Sequence, residues 1–204
     1  KSNNGSILAV WEGVGTGDPD GGIFGQRYTS PAVATYRSTT CGIYDPIESR
    51  FYLRFTNTQG PADKSFLFGA SGWEPLAGDW NGDGRDTIGL FQREAAQFYL
   101  RNSNDLGGAD ISFGYGTPGS TQVLLMGDWN GDGTDTLGLY RADASFFELR
   151  SSNSMGMSDL AFGFGAPGAG WVPLVGDWNG DGTDTVGLYD PTTGMFYVRN
   201  SHTT

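Results

Sequence analysis

The segment GDWNGDGRDTIGLF from Gly78 returns as GDWNGDGTDTLGLY from Gly127 and as GDWNGDGTDTVGLYD from Gly176, a spacing of 49 residues both times. A fixed period of that length constrains the fold more than any other feature. Each copy must be one supersecondary unit that cannot bury its apolar side alone and stacks on the next copy to do so. Around each copy the same four short segments recur: an apolar run entering the acidic stretch, an IGLF, LGLY or VGLY run leaving it, an FYLR-type run and an FxFG-type run. These alternate in polarity as half-buried strands do. With 34 Gly, 9 Pro and 14% aromatic residues, the composition suits short aromatic strands joined by tight turns and argues against a helical bundle.

An earlier, degraded unit is also visible. CGIYDP from Cys41 matches VGLYDP from Val186, and FYLR from Phe51 matches FYLR from Phe98. Its counterpart of the acidic stretch, ATYRSTT from Ala34, is short and offers no carboxylate. The chain therefore reads as four units with three acidic loops. Four strands per unit at a period of 40 to 50 residues is the signature of propeller blades. The expected fold is all-β: a small four-bladed β-propeller in one domain, with a loop in each of three blades. The strands of a blade are called A (into the loop), B (out of it), C (FYLR) and D (FxFG). The expected limits are 1–30 for N-terminal strands and ring closure, 31–69 for the first blade, 70–116 for the second, 117–165 for the third and 166–204 for the fourth. The fourth unit lacks a D strand after GMFYVRNSHTT, whereas the N-terminus carries the surplus runs ILAVWEG and GGIFGQRY. An N-terminal strand is expected to complete the last blade: IFG resembles FxFG, and ILAVWEG is the competing donor.

Arg54 with Asp63, Arg101 with Asp110 and Arg150 with Asp159 lie nine residues apart at the passage from C to D. Arg199 has no downstream counterpart, and Asp18 or Asp20 would serve it if the N-terminus closes the ring. The alternative is that these are ordinary solvated hairpin charges, which contribute little.

The acidic loops have the ligand spacing a hard cation needs. Calcium takes six to eight oxygens, and a tight loop supplies them from positions 1, 3 and 5 plus a backbone carbonyl at 7. Asp79, Asn81 and Asp83 occupy 1, 3 and 5 of the first loop; Asp128, Asn130 and Asp132 those of the second; Asp177, Asn179 and Asp181 those of the third. The position 7 carbonyls belong to Arg85, Thr134 and Thr183, and Gly84, Gly133 and Gly182 at position 6 permit the bend that turns them inward. Leu90, Leu139 and Leu188 stand at position 12 in place of the Glu of an EF-hand, and the loop joins strands, not helices. A plain Asn-Gly or Asp-Gly turn would explain one such copy but not three alike.

With these residues the chain resembles the FG-GAP and VCBS-type calcium repeats of integrin-like propellers and secreted bacterial proteins, over about residues 31–204. The resemblance implies three calcium ions and a place outside the cell or at its surface. That family usually has Asp at position 9. Here Thr87, Thr136 and Thr185 stand at 9, and Asp86, Asp135 and Asp184 at 8. The position 8 carboxylates are expected to act as ligands, directly or through water, because without them each site has only two charged ligands.

The net charge of -11 disfavours nucleic acid or an anionic membrane as partner. Nine of the acids lie in the three loops, so three divalent ions would bring the charge to about -5. No apolar run approaches a membrane span, and KSNNGSILAV lacks the regions of a signal peptide, so the chain reads as soluble and already processed. Cys41 is the only cysteine, which leaves any stapling to a metal. The single histidine, His202, lies near an end expected to fray, so nucleophile–base or zinc catalysis is not expected. The acidic pairs of a glycosidase show no motif beyond the loops.

Trp80, Trp129 and Trp178 at position 2 are expected to pack against the neighbouring blade. Trp73 and Trp171, in the connections from D to A, are the better candidates for ligand contact. The expected function is a secreted, calcium-stabilised binding or structural module of an extracellular protein, not an enzyme. The alternatives are a lectin holding a glycan in the D-to-A loops, and a subunit of an extracellular filament or surface layer that self-assembles.

Overall fold

The computed structural model describes residues 7–14 and 37–202. It is all-β, with one 3-10 turn at Arg93–Ala95 as its only helical element among the described residues. No helix among them is long and apolar enough to cross a membrane. Among the described residues fifteen strands form four antiparallel sheets. Sheet I has the order β1 (Ile7–Val14), β2 (Arg37–Asp45), β3 (Arg50–Leu53), β4 (Lys64–Leu67). Sheet II is β5 (Glu74–Gly78), β6 (Thr87–Gln92), β7 (Gln97–Leu100), β8 (Ile111–Gly114). Sheet III is β9 (Val123–Gly127), β10 (Thr136–Arg141), β11 (Phe146–Leu149), β12 (Leu160–Gly163). Sheet IV has three strands, β13 (Val172–Gly176), β14 (Thr185–Asp190) and β15 (Met195–Val198).

Each sheet is a meander whose neighbours in sequence are neighbours in space, and the acidic loops join A to B in sheets II, III and IV. The register repeats as well. Phe51 faces Phe66, Phe98 faces Phe113 and Phe147 faces Phe162 across the C and D strands. These rings stack with centroids 6.0, 5.4 and 5.7 Å apart.

The sheets pack face to face in series, each through its own apolar core. Tyr44, Phe51 and Leu53 of sheet I meet Ile88 and Leu90 of sheet II. Leu76, Trp80, Phe98 and Leu100 of sheet II meet Leu137 and Leu139 of sheet III. Leu125, Trp129, Phe147 and Leu149 of sheet III meet Val186 and Leu188 of sheet IV. The B strands of sheets II and III are buried along nearly their whole length, because one face packs backward and the other forward. Along this series the inner strands β1, β5, β9 and β13 lie side by side in turn.

The N-terminal expectation is corrected at one point. Ile7–Val14 pairs with β2 along all eight residues, from Ile7 opposite Tyr44 to Val14 opposite Arg37, and so completes the first sheet and not the last. The stretch from Ala34 gives its residues from Arg37 onward to strand B itself, so the inner strand of sheet I has to come from before residue 31. The other donor, GGIFGQRY, lies outside the described residues, as do Asp18 and Asp20.

The Arg and Asp pairs organise the C-to-D loops. Arg54 lies 3.2 Å from Asp63, Arg101 3.8 Å from Asp110 and Arg150 4.0 Å from Asp159. In each loop the guanidinium also donates to backbone carbonyls, those of Pro61, Gly108 and Met157. The three arginine side chains are only 8–18% exposed, so they are loop cores and not solvated hairpin charges. Arg199 stacks over the rings of Phe162, in β12, and Phe164, just after it.

Candidate metal-binding loops

The three acidic loops share a common set of hydrogen bonds, to which the third adds one from Gly180 N to Asp177 Oδ1 at 2.7 Å. The position 1 carboxylate accepts two amides of its own loop. Asp79 takes Asp83 N at 3.1 Å and Gly84 N at 2.6 Å, Asp128 takes Asp132 N at 3.0 Å and Gly133 N at 2.7 Å, and Asp177 takes Asp181 N at 3.1 Å and Gly182 N at 2.8 Å. The position 3 amide oxygen accepts from the same position 5 N–H, at 3.2 Å for Asn81, 3.3 Å for Asn130 and 3.2 Å for Asn179. Its nitrogen donates to the position 5 carboxylate at 3.2, 2.9 and 2.9 Å. That carboxylate also accepts the position 7 amide, from Arg85 at 2.9 Å, Thr134 at 2.8 Å and Thr183 at 2.9 Å. The side chains at 1, 3 and 5 are thus gathered over one turn. Glycines at positions 4 and 6 hold positive φ in every copy, from 72° to 90°, a region that glycine enters without strain. Hydrogen bonds from the Asn amide hold the carboxyls of Asp132 and Asp181 below the usual carboxylate range.

Positions 8 and 9 do different work. Asp135 Oδ2 accepts the backbone N–H of Asp79 in the preceding loop at 2.8 Å, and Asp135 N donates to Asp79 O at 2.7 Å. Asp184 repeats this toward Asp128, at 2.9 and 2.8 Å. At these two loops one position 8 carboxylate oxygen therefore latches its sheet to the preceding one. The Thr hydroxyls at 9 close the base of the loop. Thr87, Thr136 and Thr185 face the carbonyls of Gly78, Gly127 and Gly176 at 3.3–3.4 Å, and the latter two also donate to Arg150 O and Arg199 O.

Among the described residues no three His, Cys, Asp or Glu side chains come together. Each loop offers two carboxylates, one amide oxygen and a backbone carbonyl. That all-oxygen set fits a hard cation whose remaining positions are filled by water, and it does not fit zinc.

The tryptophans divide as their positions in the series dictate. Trp80 and Trp129 are each 2% exposed; Trp178, on the last sheet, is 38% exposed. Trp80 donates from Nε1 to Ile88 O at 3.1 Å and lies over Gly78 and Gly89, where a Cβ would approach its ring to 2.7 and 3.3 Å. Trp73 and Trp171 are half-buried and stack on Tyr99 and Tyr197, with centroids 4.5 and 4.8 Å apart and planes within 12°. One face of each ring is therefore covered within the chain.

One layer was not expected from sequence. Asn104 and Asn153 donate to the carbonyls of Asp86 and Asp135 at 3.2 and 2.8 Å. His202 stands 49 residues after Asn153, with Nε2 3.0 Å from Asp184 O. Its ring lies 6.1 Å from that of Trp129 and 6.0 Å from that of Phe162, and burial lowers its pKa. The 49-residue spacing of Asn104, Asn153 and His202 is the signal that would have found it. Comparison of the chain with models of known protein families, with curated proteins and with solved structures gave no match.

Proposed function

We propose that the chain is a calcium-stabilised, propeller-type module that serves a binding or structural role in an extracellular or cell-surface protein and carries out no catalysis. The observation that supports this reading is the loop geometry: three A-to-B loops share one hydrogen-bond pattern, present oxygen donors alone and sit at corresponding places on consecutive sheets. Asp79, Asn81, Asp83 and the Arg85 carbonyl would hold one ion, Asp128, Asn130, Asp132 and the Thr134 carbonyl the second, and Asp177, Asn179, Asp181 and the Thr183 carbonyl the third. A bound cation would neutralise the two facing carboxylates of each loop. The protein's part is to hold positions 1 and 5 on the loop's own amides and to fix the loop base with the position 9 threonine.

Because strands A and B enter and leave each loop, an ion there favours the folded state by mass action. Isothermal titration with calcium is expected to give three sites, and excess EDTA is expected to lower Tm. At calcium a hundredfold above Kd each site adds about 2.7 kcal/mol. An unchanged melting curve in EDTA, with no heat of calcium binding, would sink the proposal.

A further inference from the structure

The two ends of the sheet series present surfaces that meet at every interior junction. The forward face of a sheet is built from its C strand and its position 2 tryptophan. Phe51, Phe98 and Phe147 are each 0% exposed there, whereas Phe196, the fourth in the series, is 61% exposed. Val198 is 48% exposed, where Leu53, Leu100 and Leu149 are 0–4%. The backward face is built from the B strand. Ile88, Leu137 and Val186 are fully buried there, and so, to within 2%, are Leu90, Leu139 and Leu188. Their counterparts on sheet I are Cys41, which is exposed, and Ile43, 48% exposed.

Among the described residues, sheet IV therefore has no sheet on its forward face and sheet I none behind its backward face. Three copies of the junction inside the chain show what each face accepts. The closed ring expected from sequence would bring these two ends together; in the structure neither covers the other.

From this we propose that the open forward face of sheet IV, around Trp178, Phe196 and Val198, docks the backward face of sheet I, at Cys41 and Ile43, of a second copy of this chain. The occupant is specified by the repeat. The B strand of sheet I carries CGIY where sheets II, III and IV carry IGLF, LGLY and VGLY, so it presents two apolar side chains flanking a glycine, as the other B strands present to a forward face. The contact is heterologous: each copy offers a different surface at each end, so association runs head to tail and either closes into a ring of copies or continues as a filament. The proposal does not depend on the loops holding calcium.

Sedimentation velocity across a concentration series, combined with labelling of the Cys41 thiol by a charged maleimide, tests it. The wild-type chain is expected to grow in mass with concentration while its labelling rate falls at least several-fold. Phe196→Asp and Ile43→Asp should each be monomeric, with circular dichroism reporting that they fold. Mixed, they should yield a dimer and nothing larger, because each retains the face the other has lost. A monomer at all concentrations overturns the proposal, whether Cys41 is protected throughout, as an internal closure of sheet IV on sheet I would give, or reactive throughout. Self-association by either single variant at wild-type strength overturns it too. Should a variant not fold, the concentration dependence of wild-type labelling decides alone.

Discussion

Replacing Asp135 with alanine separates two roles that position 8 can have. Its carboxylate lies 8% exposed against the backbone N–H of Asp79, 2.8 Å away, in the preceding sheet's loop. Alanine leaves the partner hydrogen bond from Asp135 N to Asp79 O in place but strips the Asp79 amide of its charged acceptor. A buried donor left without a partner costs roughly 1–3 kcal/mol, so about 2 kcal/mol is expected here. In a chain of this size that corresponds to a fall in Tm of about 4–8 °C.

The assay is differential scanning fluorimetry of wild type and variant, each in calcium and in EDTA. A latch between sheets predicts the same loss in both media, because the hydrogen bond to Asp79 N needs no metal. A calcium ligand predicts a loss in calcium that disappears in EDTA. The second pattern would refute the latch and return Asp135 to the metal site. Asp184→Ala, which breaks the bond to Asp128 N at 2.9 Å, is expected to behave as Asp135→Ala does.

Gly78→Ala should cost about 1–3 kcal/mol by overpacking, because its Cβ would lie 2.7 Å from the buried Trp80 ring; Gly176→Ala, with 3.1 Å to the half-exposed Trp178, should cost clearly less by urea unfolding. His202→Asn should be close to neutral at pH 8, since asparagine fills the equivalent places at 104 and 153, whereas His202→Ala should lose about 1 kcal/mol with the bond to Asp184 O. Burial holds the His202 pKa below its unfolded value, so the unfolded chain binds the proton first. Stability should therefore fall as pH drops from about 6.5 through the folded pKa, and His202→Asn should remove that step from a plot of Tm against pH. Amide hydrogen exchange should be fastest, among the described sheets, in β13 to β15, which lack a fourth strand and a covered forward face.

The repeat made the sheets legible because its period is set by covalent spacing. The same is true within a loop: Asp79, Asn81, Asp83 and Gly84 act on one another over four or five residues, and the alternation alone shows that their side chains gather on one turn. What spacing does not show is which loop lies opposite which. The bond from Asp79 N to Asp135 is not legible from spacing, because the two residues are 56 apart in sequence and adjacent only once sheets II and III are stacked. The inner strand of sheet I escaped for a related reason. The similarity of the first unit rests on strands B and C, and its A strand lies upstream of a long connection in ILAVWEGV, which shares no motif with the later A strands. His202 was misjudged by its nearness to the terminus, although the period placed it in the layer of Asn104 and Asn153.

The junctions and the loops are one mechanical system. At each of the two junctions between loop-bearing sheets an apolar core, a position 8 latch and a loop-to-loop contact act together. At that contact a Cβ on Gly82 would come within 3.1 Å of Thr134 Oγ1, and one on Gly131 within 2.9 Å of Thr183 Oγ1. The Asp79 amide is tied to Asp135 and the Asp128 amide to Asp184, so each of these two loops is fastened through its position 1 backbone to the sheet that follows. Order imposed on one loop is therefore passed to the sheet that follows, and stability accrues junction by junction, as in other arrays where units touch only their neighbours. Among the described residues no sheet follows sheet IV. Its loop carries the same ten residues, from Gly176 to Thr185, as the second loop does from Gly127 to Thr136, yet Trp178 is 38% exposed where Trp129 is 2%, so the difference between these two loops lies in their neighbours and not in their sequence.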